Sequence, residues 1–251
     1  MLAEIRRIYR NSLKPADSLF NLYIARPLAA PWVWLFARTP ITPNQVTLIS
    51  MAVMVISALP LLLWPGPWGL ALGVLLIEFS YILDCADGQL ARLTGRTSEA
   101  GGLLDFLMDE LKALLLVGTL CARWRLHEGG GEYALWVGLI TLVIVPGALF
   151  ITHFLRSPEY ARATGTTPLK HGEAAGEASQ RSGPLWPVKA LARLVSQYPA
   201  TLPIFAALGQ MAIFVYAYAA VHALYVAQSV VTIIWKLGRP NAAQSPGEEP
   251  L

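Results

Sequence analysis

Asp84-Cys85-Ala86-Asp87-Gly88-Gln89-Leu90-Ala91-Arg92 is followed, eight residues later, by Gly101-Gly102-Leu103-Leu104-Asp105-Phe106-Leu107-Met108-Asp109. Four carboxylates thus sit at helical spacing inside strongly apolar sequence. An ionisable group is expensive to hold in a membrane segment, so such groups mark functional sites. Four acids with a glycine, an alanine and an arginine at fixed offsets suggest a metal site that holds a phosphorylated ligand.

The rest of the chain agrees with a membrane setting. Its 251 residues are 55% hydrophobic and only 14% charged, with mean hydropathy +0.50. Soluble domains carry about 25% charged residues. The composition predicts an all-α integral membrane protein, one polytopic unit rather than several soluble domains. The two cysteines, Cys85 and Cys121, provide no disulfide framework, and Cys85 faces away from the acids as a packing residue. Met1 to Lys14 is basic and polar and does not read as a cleavable signal peptide. Nothing in the chain suggests nucleic-acid binding.

A membrane-crossing helix needs roughly 20 mostly apolar residues. Four segments meet this over residues 46–64, 68–93, 101–122 and 133–155. The run 199–235 is just long enough for two more, with a break placed near Tyr218. Six transmembrane helices are therefore expected; one long helix in the last run would leave five and reverse the C-terminus. With six spans, 16 Lys and Arg side chains fall on one side and only Arg123 and Arg125 on the other. The positive side is the cytoplasmic one, which puts both termini and the loop between spans two and three in the cytoplasm.

Outside the spans, residues 18–37 mix Trp32, Trp34, Leu35 and Phe36 with Arg26. They predict an interfacial amphipathic helix on the cytoplasmic leaflet. The chain is read as a cytoplasmic N-terminus and juxtamembrane helix (1–44), a six-helix catalytic domain (45–237, with a cytoplasmic loop at about 156–197), and a disordered tail (238–251). Within that loop, residues 164–187 read as flexible and 189–197 as a second interfacial helix.

Helical geometry brings the acids together. At about 100° per residue, Asp84, Asp87, Gly88, Ala91 and Arg92 share one face of the second span, and Gly101, Asp105 and Asp109 share one face of the third. Asp84 lies roughly 13 Å from the cytoplasmic end of its helix and Asp109 roughly 12 Å from its own. Asp84 should therefore meet Asp109 in depth, and Asp87 should meet Asp105. Converging carboxylates cannot all stay ionised in a low-dielectric site without cations. Mg2+ or Mn2+, one or two ions, suits an all-oxygen donor set and keeps positions open for phosphate oxygens. Gly88 and Ala91 leave room for a ligand near the backbone, and Arg92 can pair with phosphate.

These residues resemble the signature of the CDP-alcohol phosphotransferases, Asp-x2-Asp-Gly-x2-Ala-Arg-x8-Gly-x3-Asp-x3-Asp. All eight fixed positions are filled, by Asp84, Asp87, Gly88, Ala91, Arg92, Gly101, Asp105 and Asp109. The stretch Thr42-Pro43-Asn44-Gln45-Val46-Thr47 looks like the segment that precedes the family's first span. The resemblance implies transfer of a substituted phosphate from a CDP-linked donor to an alcohol, with release of CMP. It implies Asp84, Asp87, Asp105 and Asp109 as ligands of two metal ions, with Asp109 also the general base. It implies Gly88, Ala91, Arg92 and Gly101 as CDP contacts, with Asn44 and Thr47 helping to hold the nucleotide. A homodimer in the cytoplasmic (inner) membrane, its site opening to the cytoplasm, is expected on the same ground.

CDP-diacylglycerol is the favoured donor, with a small polar alcohol as acceptor and a phospholipid as product. The reverse arrangement is a soluble CDP-alcohol of the choline or ethanolamine type donating to a lipid alcohol. A cation-binding transporter would spread its acids along a path, whereas these cluster at one depth. Lys112 shares the acidic face of the third span and either lines the acceptor pocket or partners the acids. His153 and Arg156, at the end of the fourth span, are acceptor candidates; anchoring is the alternative for Arg156, and an interfacial histidine for His153. His222 reads as a packing residue of the last span.

Overall fold

The computed structural model describes residues 2–11, 17–165, 195 and 197–237. Ordered elements among them are helical. In chain order they are α1 (Leu2–Asn11), a π-turn (Asn21–Ala25) that runs into α2 (Arg26–Phe36), α3 (Pro43–Leu63), α4 (Pro67–Thr94), α5 (Glu99–His127), α6 (Gly131–Arg156), α7 (Pro158–Thr164), α8 (Tyr198–Ala207) and α9 (Met211–Leu237). The expected loop at 164–187, the helix at 189–197 and the tail at 238–251 lie almost wholly outside the described residues. Four helices, α3, α4, α6 and α9, are long and apolar enough to cross a membrane, the mark of an integral membrane protein. The first four expected spans correspond to α3 through α6. At 29 residues α5 is also long enough, but it carries Asp105, Asp109, Glu110 and Lys112.

The break in the last apolar run is not at Tyr218. A single helix, α9, passes through Tyr218, and the chain turns instead at residues 208–210. Gly209 takes φ +65° there, a conformation that glycine adopts without steric cost. Tyr218 offers no such break: it is buried, and its carbonyl is 2.8 Å from Nδ1 of His222. His222 is thus the partnered packing histidine that the sequence suggests.

The described residues form two compact units. The first contains residues 2–11, 17–142 and 197–216, and the motif lies wholly within it. The second contains residues 143–165, 195 and 217–237. In the second, Thr152 Oγ1 and Tyr225 OH meet at 2.8 Å, and the rings of Phe154 and Tyr160 lie 5.3 Å apart.

In the first unit, local signals set where each helix starts and stops. Thr42 caps α3: its hydroxyl accepts from the Gln45 N–H at 3.3 Å, while Gln45 Oε1 accepts from the Thr42 N–H at 2.9 Å. This reciprocal capping box satisfies donors that the first helical turn leaves open. The end of α4 is closed by Gly95 in the left-handed region, with the Arg96 N–H reaching Ala91 O at 2.9 Å. Three residues later Ser98 caps α5 by accepting from the Gly101 N–H at 3.0 Å. The α4–α5 connection is therefore short, and the two halves of the motif fall on antiparallel neighbours.

Two polar devices hold α3, α4 and α5 in register. Ser50 donates to Ser80 O and Ser80 to Ser50 O, each at 2.8 Å, which joins α3 to α4 in the buried interior. Hydrogen bonds between membrane helices are worth about 0.6 kcal/mol each. At the opposite end from the motif, Arg123 of α5 is 2% exposed and donates to Leu61 O (3.1 Å), Trp64 O (3.2 Å) and Gly66 O (2.7 Å), and to Glu128 (2.9 Å). His127 Nε2 lies 2.8 Å from Leu62 O. The end of α5 is thereby tied to carbonyls around the α3–α4 turn.

The N-terminal helix α2 packs on α4. Ala29, Ala30 and Val33 join Leu83, Cys85, Ala86 and Leu90 in one apolar cluster. Cys85 therefore packs on the far side of the motif, as expected. Arg26 is buried and paired with Asp17, and Asn21 Oδ1 accepts from Tyr81 OH at 2.6 Å. The segment before α2 is thus fastened to α4 one turn before Asp84.

Candidate metal and phosphate site

Three helix ends converge in the first unit: the start of α3, the end of α4 and the start of α5. One oxygen each of Asp84, Asp105 and Asp109 lies within 4.8 Å of the other two. The i, i+4 spacing of Asp105 and Asp109 puts both on the α5 face that meets α4. Burial is graded across the cluster. Asp84 is 13% exposed, Asp105 half-buried and Asp109 57% exposed. The outermost carboxylate is therefore reachable by a substrate.

Lys112 completes this cluster. Its ammonium is buried, pairs with Asp84 and stands 3.8 Å from Asp109 Oδ1. It takes the position of internal partner to the acids. One ammonium does not balance the acids here, since Asp87 lies on the same helix one turn from Asp84. A hard divalent cation fits this donor set, because every donor is a carboxylate oxygen and the residual charge is negative.

Asp87 is held differently. It is 5% exposed, and its Oδ2 accepts from Thr47 Oγ1 of α3 at 2.5 Å. The structure gathers Asp105 with Asp84 and Asp109, and gives an oxygen of Asp87 to Thr47. Sequence reasoning assigned Thr47 to the nucleotide and missed this bond. The signal was available in principle: Thr47 lies one helical turn past Pro43, at the depth of the last turns of α4.

The remaining motif residues line the same end. The Arg92 guanidinium lies over Gly88, where an added Cβ would stand 3.3 Å from its Nη1. A larger residue at position 88 would push Arg92 aside. An added Cβ at Gly101 would stand 3.1 Å from Asn44 Oδ1 and equally close to Ser98 Oγ. Asn44 and Gly101, expected to share the nucleotide, are therefore neighbours. Ala91 is half-buried, one turn beyond Gly88. His153 and Arg156 belong to the second unit, at the end of α6.

With that geometry in hand, comparison with known proteins adds a family. A family model described as CDP-alcohol phosphatidyltransferase matches residues 40–238. The archaetidylinositol phosphate synthase of Aeropyrum pernix is 40% identical over 105 residues, covering 41% of this chain and 51% of that protein. Cholinephosphotransferase 1 of Mus musculus is 26% identical over 166 residues, covering 61% of this chain and 41% of that protein. The chain thus spans about half or less of the length of these curated relatives. A crystal structure of Mycobacterium tuberculosis phosphatidylinositol phosphate synthase with CDP-DAG bound aligns over 87% of this chain and 95% of that one, at 21% identity and a TM-score of 0.46.

Proposed function

The chain belongs to the CDP-alcohol phosphatidyltransferase family, and on that footing we propose that it transfers a substituted phosphate from a CDP-linked donor to an alcohol and releases CMP. The observation that carries the reading is the gathering of Asp84, Asp105 and Asp109 at the converging ends of α3, α4 and α5. Asp84, Asp87, Asp105 and Asp109 hold two Mg2+ or Mn2+ ions. When bound, these supply the positive charge that a pyrophosphate needs as charge shifts to its leaving oxygen.

The chain's own residues divide the remaining work. Arg92, beside Gly88 and Ala91, pairs with the diphosphate, and Asn44 and Gly101 border the nucleotide. Asp109, the most exposed carboxylate of the cluster, accepts the proton of the acceptor hydroxyl. That oxygen attacks the β-phosphorus in line. The P–O bond to CMP breaks, and CMP leaves with the electron pair. Lys112 is the buried internal partner of the acids.

The favoured donor is CDP-diacylglycerol and the acceptor a small polar alcohol, so that the product is a phospholipid. Likeness to an archaetidylinositol phosphate synthase supports this direction. Likeness to cholinephosphotransferases supports the second reading, in which a soluble CDP-alcohol donates to a lipid alcohol. We further propose six membrane crossings, with α5 and the α8 region added to the four apolar helices. The segment through α2 would lie along the interface, the site would open to the cytoplasm of an inner membrane, and two copies would pair.

CMP release by the detergent-purified protein tests the activity. CDP-diacylglycerol is supplied with Mn2+ or Mg2+ and one polar alcohol at a time. CMP appearing with one alcohol identifies donor and acceptor together. Release only from CDP-choline or CDP-ethanolamine with a lipid alcohol moves the enzyme to the second reading. No release from either donor class would refute the proposal.

A further inference from the structure

We infer that Thr47 acts as the positioning residue of Asp87, fixing that carboxylate for the metal site, rather than as a nucleotide contact. The inference rests on the reading of Asp87 as a metal ligand given above. Thr47 is 3% exposed, so its hydroxyl faces protein and not the mouth of the site. Its Oγ1 lies 2.5 Å from Asp87 Oδ2 and 3.2 Å from Pro43 O. A hydroxyl has one proton to donate, and the shorter contact, to a carboxylate, is the stronger one.

Two further features make the bond a fixed one. Thr47 sits in the second turn of α3, whose start is locked by the capping box between Thr42 and Gln45. The Ser50–Ser80 pair, three residues further along α3, joins the same two helices by reciprocal bonds. The hydroxyl therefore approaches Asp87 from a helix whose position and rotation are already set. Asp87 is 5% exposed, so water is a poor substitute for a lost donor. With Oδ2 engaged by Thr47, Oδ1 is the oxygen left to face a cation. Partners that orient a ligating carboxylate typically contribute 10–100-fold to metal affinity or activity.

The test measures Mn2+ binding directly, by the loss of the free-ion electron paramagnetic resonance signal on titration of the full-length purified protein. Thr47→Val keeps the shape and removes the hydroxyl; Thr47→Ser keeps the hydroxyl. The expected result is at least a tenfold weaker Mn2+ Kd in Thr47→Val and a Kd within about twofold of the unmodified protein in Thr47→Ser. The donor KM at saturating Mn2+ should stay unchanged in both. An unchanged Mn2+ Kd in Thr47→Val, with or without a raised donor KM, would overturn the inference, and a raised KM would return Thr47 to the nucleotide. If Thr47→Val does not yield a monodisperse protein, Thr47→Ala, which adds no bulk, is read in the same way. Absence of Mn2+ binding in the unmodified protein would remove the metal-site reading itself. Binding and CMP release in the unmodified protein, with Thr47→Val no different, would remove only the inference.

Discussion

Lys112 reaches from α5 to Asp84 on α4, a buried ion pair within the carboxylate cluster and 3.8 Å from a second acid, Asp109. An ammonium in this position balances part of the cluster's charge whether or not a cation is bound. Removing one partner of a buried pair leaves the other uncompensated and costs about 3–5 kcal/mol. Lys112→Met should therefore lower thermal stability strongly in a chelator, and the deficit should shrink in Mn2+, which supplies the lost positive charge. Melting curves of both proteins, with and without Mn2+, check this. An equal deficit in both conditions would separate Lys112 from the metal site.

Asp105 and Asp109 stand on one face of α5 but differ in exposure. Asp105 is half-buried in the cluster, and Asp109 is 57% exposed. Asp105→Asn keeps the shape and removes the charge, so Mn2+ binding and turnover should fall together while the protein remains monodisperse. Asp109→Asn should in addition remove the general base. Its kcat should drop by about a hundredfold or more even at saturating Mn2+, with donor KM little changed. Steady-state CMP release at several Mn2+ concentrations distinguishes the two. Normal turnover in Asp109→Asn would transfer the base role elsewhere.

Much of this site can be read from the sequence because its logic is local. The spacing of Asp84 to Arg92 and of Gly101 to Asp109 is helical, and Gly95 and Ser98 punctuate the turn between them. Those signals place α4 and α5 side by side and bring Asp84, Asp105 and Asp109 together. What escapes is set by contacts distant in sequence. Thr47 and Asp87 are 40 residues apart, and Arg123 meets backbone carbonyls about 60 residues earlier, which carry no side-chain signature. The turn at Gly209 escaped for another reason. The run 199–235 is apolar throughout, so periodicity marks no boundary, and only the glycine's backbone freedom reveals it.

The Arg123 clamp has its own consequence. Its guanidinium satisfies three carbonyls around the α3–α4 turn and pairs with Glu128. Arg123→Met removes those donors from a site that is 2% exposed. Hydrogen bonds to charged groups contribute about 1.5–3 kcal/mol, so the variant should lose about 2–4 kcal/mol. Arg123→Lys, which keeps the charge but not the fork of donors, should recover only part of it. Chemical denaturation in detergent, followed by tryptophan fluorescence, measures both. Full stability in Arg123→Met would show that the carbonyls find equal partners without it.

Asp17 provides a pH dependence outside the membrane helices. Burial pushes its carboxyl up, but hydrogen bonds from Arg26 and Asn21 and the Arg26 charge outweigh this and hold it below the usual carboxylate range. A folded-state pKa below the unfolded one stabilises the protein above the unfolded value, near 3.9. That stabilisation fades as pH falls through the unfolded pKa toward the folded one. Asp17→Asn cannot titrate and leaves buried Arg26 without its anion. The unmodified protein should therefore be more stable than Asp17→Asn at pH 6, and its advantage should shrink steadily below about pH 4. Unfolding midpoints of the two proteins across pH 3–6 give the difference directly. A difference that stays constant over that range would show that the Asp17 pair does not couple folding to its proton.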